Sequence, residues 1–274
     1  MRVILSICAI ALSSLSASAF ADPDTYPPLP ALNIDIAQTS VSGASDATVP
    51  RPVVNQVQAF YAALGVPAQS VSTVELDDAG HVTPPLNYGV ACIQRESPFI
   101  GKCQVDGAKA ILGWIYGPDP FASPVTMTPK GRYVRFGQTY HLPANRPSSF
   151  TWTTATDSTG WVYAPSKCDA GAPCSLHVTL HGCEQGQDFL PLDSPLDGGL
   201  FFGTTFVRHA GYTQWADSNR IVVLFPQAQS IPGLNPYGCW DWWAYTDNHF
   251  ADQQGIQMRS IRNMSVQLTA CASH

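Results

Sequence analysis

Five consecutive residues without a polar side chain, Ile221-Val222-Val223-Leu224-Phe225, closed by Pro226, constrain the fold more than any other feature of the chain. A strand with one wet face alternates apolar and polar residues. An unbroken apolar run therefore predicts a strand covered on both faces, as in a parallel sheet between helices. Neighbouring segments supply those layers. Val53, Val54, Val57, Phe60, Tyr61 and Leu64 recur at helical spacing and predict a helix over 51–64, stopped by Gly65 and Pro67. Further helices are predicted over 106–116, 206–219 and 254–268, the last with Met258, Ile261, Met264 and Leu268 on one face. Strands are predicted at 32–36, 71–76, 161–163 and 176–180. Residues 118–160 read as a linker or strand-rich insertion with Tyr133, Phe136, Tyr140 and Trp152 as anchors. Strands separated by helices predict an α/β fold with a mostly parallel sheet.

The amino-terminal residues predict export. Arg2 is followed by a run from Val3 to Leu15 that is almost entirely apolar or small, and by the small-x-small signal Ala17-Ser18-Ala19, with Ala19-Phe20-Ala21 beside it. This is a signal-peptide pattern over 1–21, leaving 22–274 as one mature domain, secreted or periplasmic. As a membrane anchor the run is too short, and Pro23, Pro27, Pro28 and Pro30 follow at once. Without Arg2, thirteen basic residues face twenty acidic ones, and no basic run or zinc-finger spacing is present. Nucleic acid and anionic membrane are therefore not expected as partners, and a monomer is expected. With only 12% charged residues, the surface suits a neutral ligand.

Eight cysteines become seven once Cys8 leaves with the leader. In an oxidising compartment they read as disulfides. Cys92 with Cys103 and Cys168 with Cys174 enclose short loops, Cys183 with Cys239 would make a long-range pair, and Cys271 is left over. Spacing alone does not fix this connectivity. A metal site is the competing reading, but the chain has neither CxxC nor HExxH, and no metal or organic cofactor is expected.

Four places could carry chemistry. Leu176 to Cys183 (LHVTLHGC) is a strand running into His-Gly, where a backbone N–H could face a developing oxyanion, or where the glycine could simply make a turn. Asp46 follows a small-residue turn and precedes a helix, so it could orient a histidine or cap that helix. His81 lies just past the strand ending at Leu76; it is either a surface histidine or the base of an acid-then-base order. Cys239-Trp240-Asp241-Trp242-Trp243 places three indoles within five positions, and at least one of them should form an exposed apolar platform. No Gly-x-Ser-x-Gly elbow occurs. Ser42 and Ser45 are the nearest approximations to a nucleophile, and Cys183 is better used in a disulfide.

These residues carry a resemblance to the secreted poly(3-hydroxybutyrate) depolymerases of the circularly permuted α/β-hydrolase type. It rests on 107–117 (GAKAILGWIYG), 159–165 (TGWVYAP), 174–185 (CSLHVTLHGCEQ), 211–219 (GYTQWADSN), 223–227 (VLFPQ) and 235–242 (NPYGCWDW). The resemblance implies Asp46 and His81 as the triad acid and base, and the Cys183 N–H as an oxyanion donor. It implies Trp242, with Trp240 beside it, as the polymer contact, and the three cysteine pairs as disulfides. It also implies an extracellular carboxylic ester hydrolase acting on a neutral polyester or small ester. One departure is large. Ser40-Val41-Ser42-Gly43 matches the strand end that precedes the family's serine, yet Ala44-Ser45-Asp46 already matches the segment at the aspartate. The nucleophile, a helix and at least one strand are thus expected to be missing. A catalytically inactive polyester-binding homologue, or a truncated gene product, is the alternative.

Overall fold

The computed structural model describes residues 38–117, 128–144, 154–169, 173–191 and 199–269. The expected leader, the strand at 32–36, Trp152 and Cys271 lie outside these residues. In chain order the strands are β1 (Gln38–Gly43), β2 (Val71–Leu76), β3 (Val90–Ala91), β4 (Gly101–Lys102), β5 (Arg132–Gly137), β6 (Thr159–Ala164), β7 (Ser175–Val178) and β8 (Ile221–Phe225). The helices are α1 (Arg51–Ala63), α2 (Gly107–Tyr116), α3 (Ser166–Asp169), α4 (Thr205–His209), α5 (Tyr212–Asn219) and α6 (Ile256–Thr269). The chain forms two compact units. Among the described residues, one holds 38–117 with 208–219, and the other holds those between 128 and 207 with 220–269.

In the first unit, β1, α1 and β2 form a βαβ motif. The two strands pair in parallel from Gln38 opposite Val71 to Gly43 opposite Leu76, so both end at the same level. Gly43 is required there, because a Cβ would lie 2.1 Å from the Ala79 carbonyl oxygen. Its absence lets the turn after β2 approach, and the Ser45 N–H donates to Ala79 O at 3.0 Å. Gly65, at φ +78°, follows α1 as a left-handed stop. None of the thirteen residues of α1 is buried, and Phe60 stays 59% exposed. α2 starts from Asp106, whose side chain accepts the Lys109 N–H, and α2 packs against α5 and β1.

The second unit is built on a four-stranded sheet of order β5-β6-β8-β7. All five residues of β8 are buried, as the apolar run predicts. The mostly parallel sheet needs correction, however. β8 is parallel to β7 but antiparallel to β6, and β6 is antiparallel to β5, so this sheet is mixed. Apolar flanks report that both faces are covered, not which way the neighbouring strands run. Phe136, Val162, Val222, Leu224, Met264 and Leu268 form the core between sheet and α6.

The continuous helix expected over 206–219 is also corrected, because it is broken into α4 and α5. Gly211 sits at φ +92°, and a Cβ there would stand 3.2 Å from Ala108 Cβ and 3.3 Å from Pro85 Cβ. Within the second unit the Asn263 amide donates to His141 O at 3.0 Å from the buried side of α6, so the Asn-Met-Ser sequon there is not a surface acceptor.

Candidate active site

The parallel register of β1 and β2 brings Asp46 and His81 together from adjacent strand ends. Asp46 Oδ2 lies 2.9 Å from His81 Nδ1. Its other oxygen accepts the N–H groups of Thr48 and Val49 at 2.8 and 2.9 Å. Asp46 does not cap α1, whose N-cap is Pro50 with no side-chain cap. It closes an Asx turn, and that turn aims the carboxylate at the histidine. Burial raises the Asp46 pKa, but the bonds from His81, Val49 and Thr48 outweigh it and hold the carboxyl below its ordinary value.

His81 sits in a loop fastened elsewhere in the same unit. The preceding Gly80 N–H donates to Cys92 O at 2.8 Å, and Cys92 is joined to Cys103. Phe99 meets the imidazole edge-on at 6.4 Å. The Asp46 bond fixes Nδ1 as the protonated nitrogen, leaving Nε2 as the basic lone pair. No group among the described residues bonds Nε2, and the side chain is 40% exposed. This arrangement can accept a proton from a hydroxyl or water that approaches Nε2.

Neither candidate serine is bonded to this histidine. Ser42 is 3% exposed, and its Oγ has no hydrogen-bond partner. Ser45 is exposed on the turn, where its backbone N–H donates to Ala79 O.

In the second unit, the strand β7 runs into His181-Gly182-Cys183. Burial pushes the His181 pKa down to about 4, against a raising bond to Gly182 O. Its Nδ1–H donates to that carbonyl at 2.7 Å, and its Nε2 accepts the Ala228 N–H at 3.1 Å. With both nitrogens occupied, His181 is a neutral brace and not a base. Its carbonyl accepts the Trp240 indole N–H at 3.0 Å, so Trp240 supports this turn. Cys183 is exposed and bonded to Cys239, and among the described residues no acceptor takes its N–H. That N–H can meet an anionic oxygen. Cys168 and Cys174 are also joined by a disulfide.

Trp242 is 70% exposed, and Trp243 lies edge-on to it at 5.1 Å. Sequence reading missed what holds this loop. Asp241 Oδ1 accepts the N–H groups of Trp243 and Tyr245, while Oδ2 accepts the N–H and hydroxyl of Thr246. Burial raises the Asp241 pKa, but these bonds prevail and lower it. An aspartate between two tryptophans, followed by Tyr and Thr, was the available signal. Among the described residues no three His, Cys, Asp or Glu side chains gather to hold a metal, and no helix is long and apolar enough to cross a membrane.

No family model matches the chain. It is similar to a poly(3-hydroxybutyrate) depolymerase of Delftia acidovorans, 34% identical over 225 residues, which cover 81% of this chain and 40% of that protein. It is also similar to a polyhydroxybutyrate depolymerase of Talaromyces funiculosus, 34% identical over 236 residues, covering 80% of this chain and 62% of that protein. The chain thus spans less than two thirds of the length of either curated relative. Among solved structures, the PHB depolymerase from Penicillium funiculosum superposes with a TM-score of 0.70 at 31% identity. A serine-to-alanine variant of a PHB depolymerase complexed with an R3HB trimer gives 0.70 at 32%. Each comparison covers 84% of this chain and 70% of the other.

Proposed function

Because the chain belongs to the poly(3-hydroxybutyrate) depolymerase family, we propose that it is an exported esterase directed at the ester bonds of short-chain polyhydroxyalkanoates. The observation that carries this reading is the Asp46–His81 pair, with Nδ1 held at 2.9 Å and Nε2 open. In the proposed reaction, the hydroxyl that attacks the ester carbonyl gives its proton to His81 Nε2. Asp46 keeps the ring in the required tautomer and stabilises the imidazolium. His81 then returns the proton to the departing alkoxide. The Cys183 N–H is assigned to the oxyanion, and Trp242 to the polymer. No metal or organic cofactor enters these steps. Three disulfides suit an oxidising compartment outside the cytoplasm. The partner proposed is a neutral polyester or small ester, not nucleic acid or membrane, and the working unit is a monomer of one permuted α/β-hydrolase-type domain.

A second reading is favoured by a specific observation: neither Ser42 nor Ser45 is bonded to His81. The chain would then be a polyester-binding homologue that lacks the nucleophile-bearing strand and helix. α1, in which Val54, Val57 and Tyr61 are only partly buried and no residue is fully buried, fits that loss, because a helix of an intact α/β layer normally covers the sheet with one face. Treating the folded, oxidised protein with a serine-directed phosphonylating probe separates the two. One adduct in the intact mass, mapped to a serine and accompanied by ester hydrolysis, establishes the esterase. Absence of both on a folded chain that still binds polyester granules establishes the binding homologue, and failure to bind granules as well removes the polyester reading altogether.

A further inference from the structure

Asp106 does two jobs at the start of α2. Its Oδ1 accepts the Lys109 N–H at 2.9 Å, and its Oδ2 accepts the Trp215 indole N–H from α5 at 2.7 Å. The Lys109 ammonium lies 5.3 Å from the centre of the same indole. Carboxylate and ammonium therefore both help to join α2 to α5. Tyr88 stacks on His209 with ring centres 3.8 Å apart and planes within 12°. Gly211, kept small by Ala108 and Pro85, closes the end between these groups. A cleft of about 200 Å³ opens here, walled by Leu86, Asn87, Tyr88, His209, Gln214 and Trp215, with Pro85 and Asp106 also lining it. This exceeds the roughly 150 Å³ cavities that accommodate benzene, so a small organic group fits where a single water would rattle.

The wall selects for a particular chemistry. Pro85, Leu86 and the rings offer apolar surface. Gln214 Oε1 accepts the Thr213 hydroxyl at 3.3 Å, while its Nε2 donates to nothing among the described residues. The cleft therefore presents an unspent donor beside apolar plates, and each Asp106 oxygen already accepts one bond from the helices. A chain of hydroxyacid esters presents carbonyl acceptors between small alkyl groups and has no interior donor.

We propose that this cleft binds a short, uncharged segment of hydroxyalkanoate ester chain, with the Gln214 amide donating to an ester carbonyl and Leu86 and Tyr88 packing against its alkyl branches. The assignment rests on the polyester-directed reading above and adds a binding site in the unit that carries Asp46 and His81.

The test titrates the folded full chain with soluble (R)-3-hydroxybutyrate trimer, following heat and the Trp215 indole N–H resonance. The trimer is expected to shift that resonance. Gln214→Ala should weaken the binding it reports about tenfold, and Leu86→Asp should abolish it. Leu86 is exposed, so its variant retains the fold even if Gln214→Ala does not. Trp242→Ala should leave the Trp215 shift in place. Trimer binding with an unmoved Trp215 signal, or with both cleft variants at wild-type affinity, overturns the cleft assignment while leaving the polyester reading intact. No trimer binding anywhere on the folded chain overturns that reading and the cleft with it. An equal Trp215 shift from maltotriose would overturn the ester class.

Discussion

Asp46 holds His81 with one carboxylate oxygen at 2.9 Å and its own loop with the other, through the N–H groups of Thr48 and Val49. Asparagine in its place can keep Oδ1 as the acceptor for the loop, but it removes the charge facing the imidazole. Asp46→Asn is therefore expected to fold, and to lower any ester hydrolysis by about 10⁴, the effect of mis-setting the tautomer in a triad. The sign of the pH effect follows from the lowered Asp46 pKa. Native stability contributed by this carboxylate is present above its unfolded value, and is lost as pH falls through the depressed folded value. Denaturant midpoints of wild type and Asp46→Asn should differ at pH 7 and converge in acid.

Asp188 behaves in the opposite sense. Burial is the main cause of a pKa pushed up to about 6; the bonds from Ser230 lower it and Asp157 raises it further. Between about pH 4 and 6 the native state holds a proton that the unfolded chain has released, so stability falls as pH rises through that window. Asp188→Asn, which retains an oxygen for the Ser230 N–H, should flatten the dependence. Urea midpoints at pH 4.5 and 7.5 test this, and the variant's advantage should be larger at the higher pH.

The cysteine pairs differ in the loops they close. Cys183 and Cys239 are 56 positions apart, whereas Cys168 and Cys174 are 6 apart. Chain-entropy scaling makes the longer crosslink worth about 2 kcal/mol more. Paired serine substitutions, compared by chemical denaturation, should show the larger loss for Cys183/Cys239.

Trp242 is presented by a loop that Asp241 fastens with four bonds. Asp241→Ala should release that loop and weaken granule binding about tenfold, equivalent to roughly 1.4 kcal/mol. Asp241→Asn, which can keep part of the bonding, should recover some of it. A depletion assay with washed granules measures both, and near-UV circular dichroism reports the indole environment.

Much of the fold was legible because it depends on local pattern. The apolar period of 51–64 and the Gly-Pro stops set α1, and 71–76 and 221–225 emerge as strands with the expected bounds. Strand direction was not legible, since Val222 and Leu224 are buried whether β6 runs parallel or antiparallel to them. The break at Gly211 was hidden because its cause is tertiary: the loop must pass close to Ala108 and Pro85. The site divides in the same way. Asp46 and His81 could be proposed from their places after adjacent strands, but Asp106 and Trp215 are 109 positions apart and no local pattern pairs them.

The double duty of Asp46 has an evolutionary consequence. A line of descent that abandoned ester chemistry would still be penalised for losing this aspartate, because the turn ahead of α1 depends on it. The residue's persistence in such a lineage would therefore say little about selection for catalysis. His81 has no comparable second employment, so drift at position 81 would register disuse first.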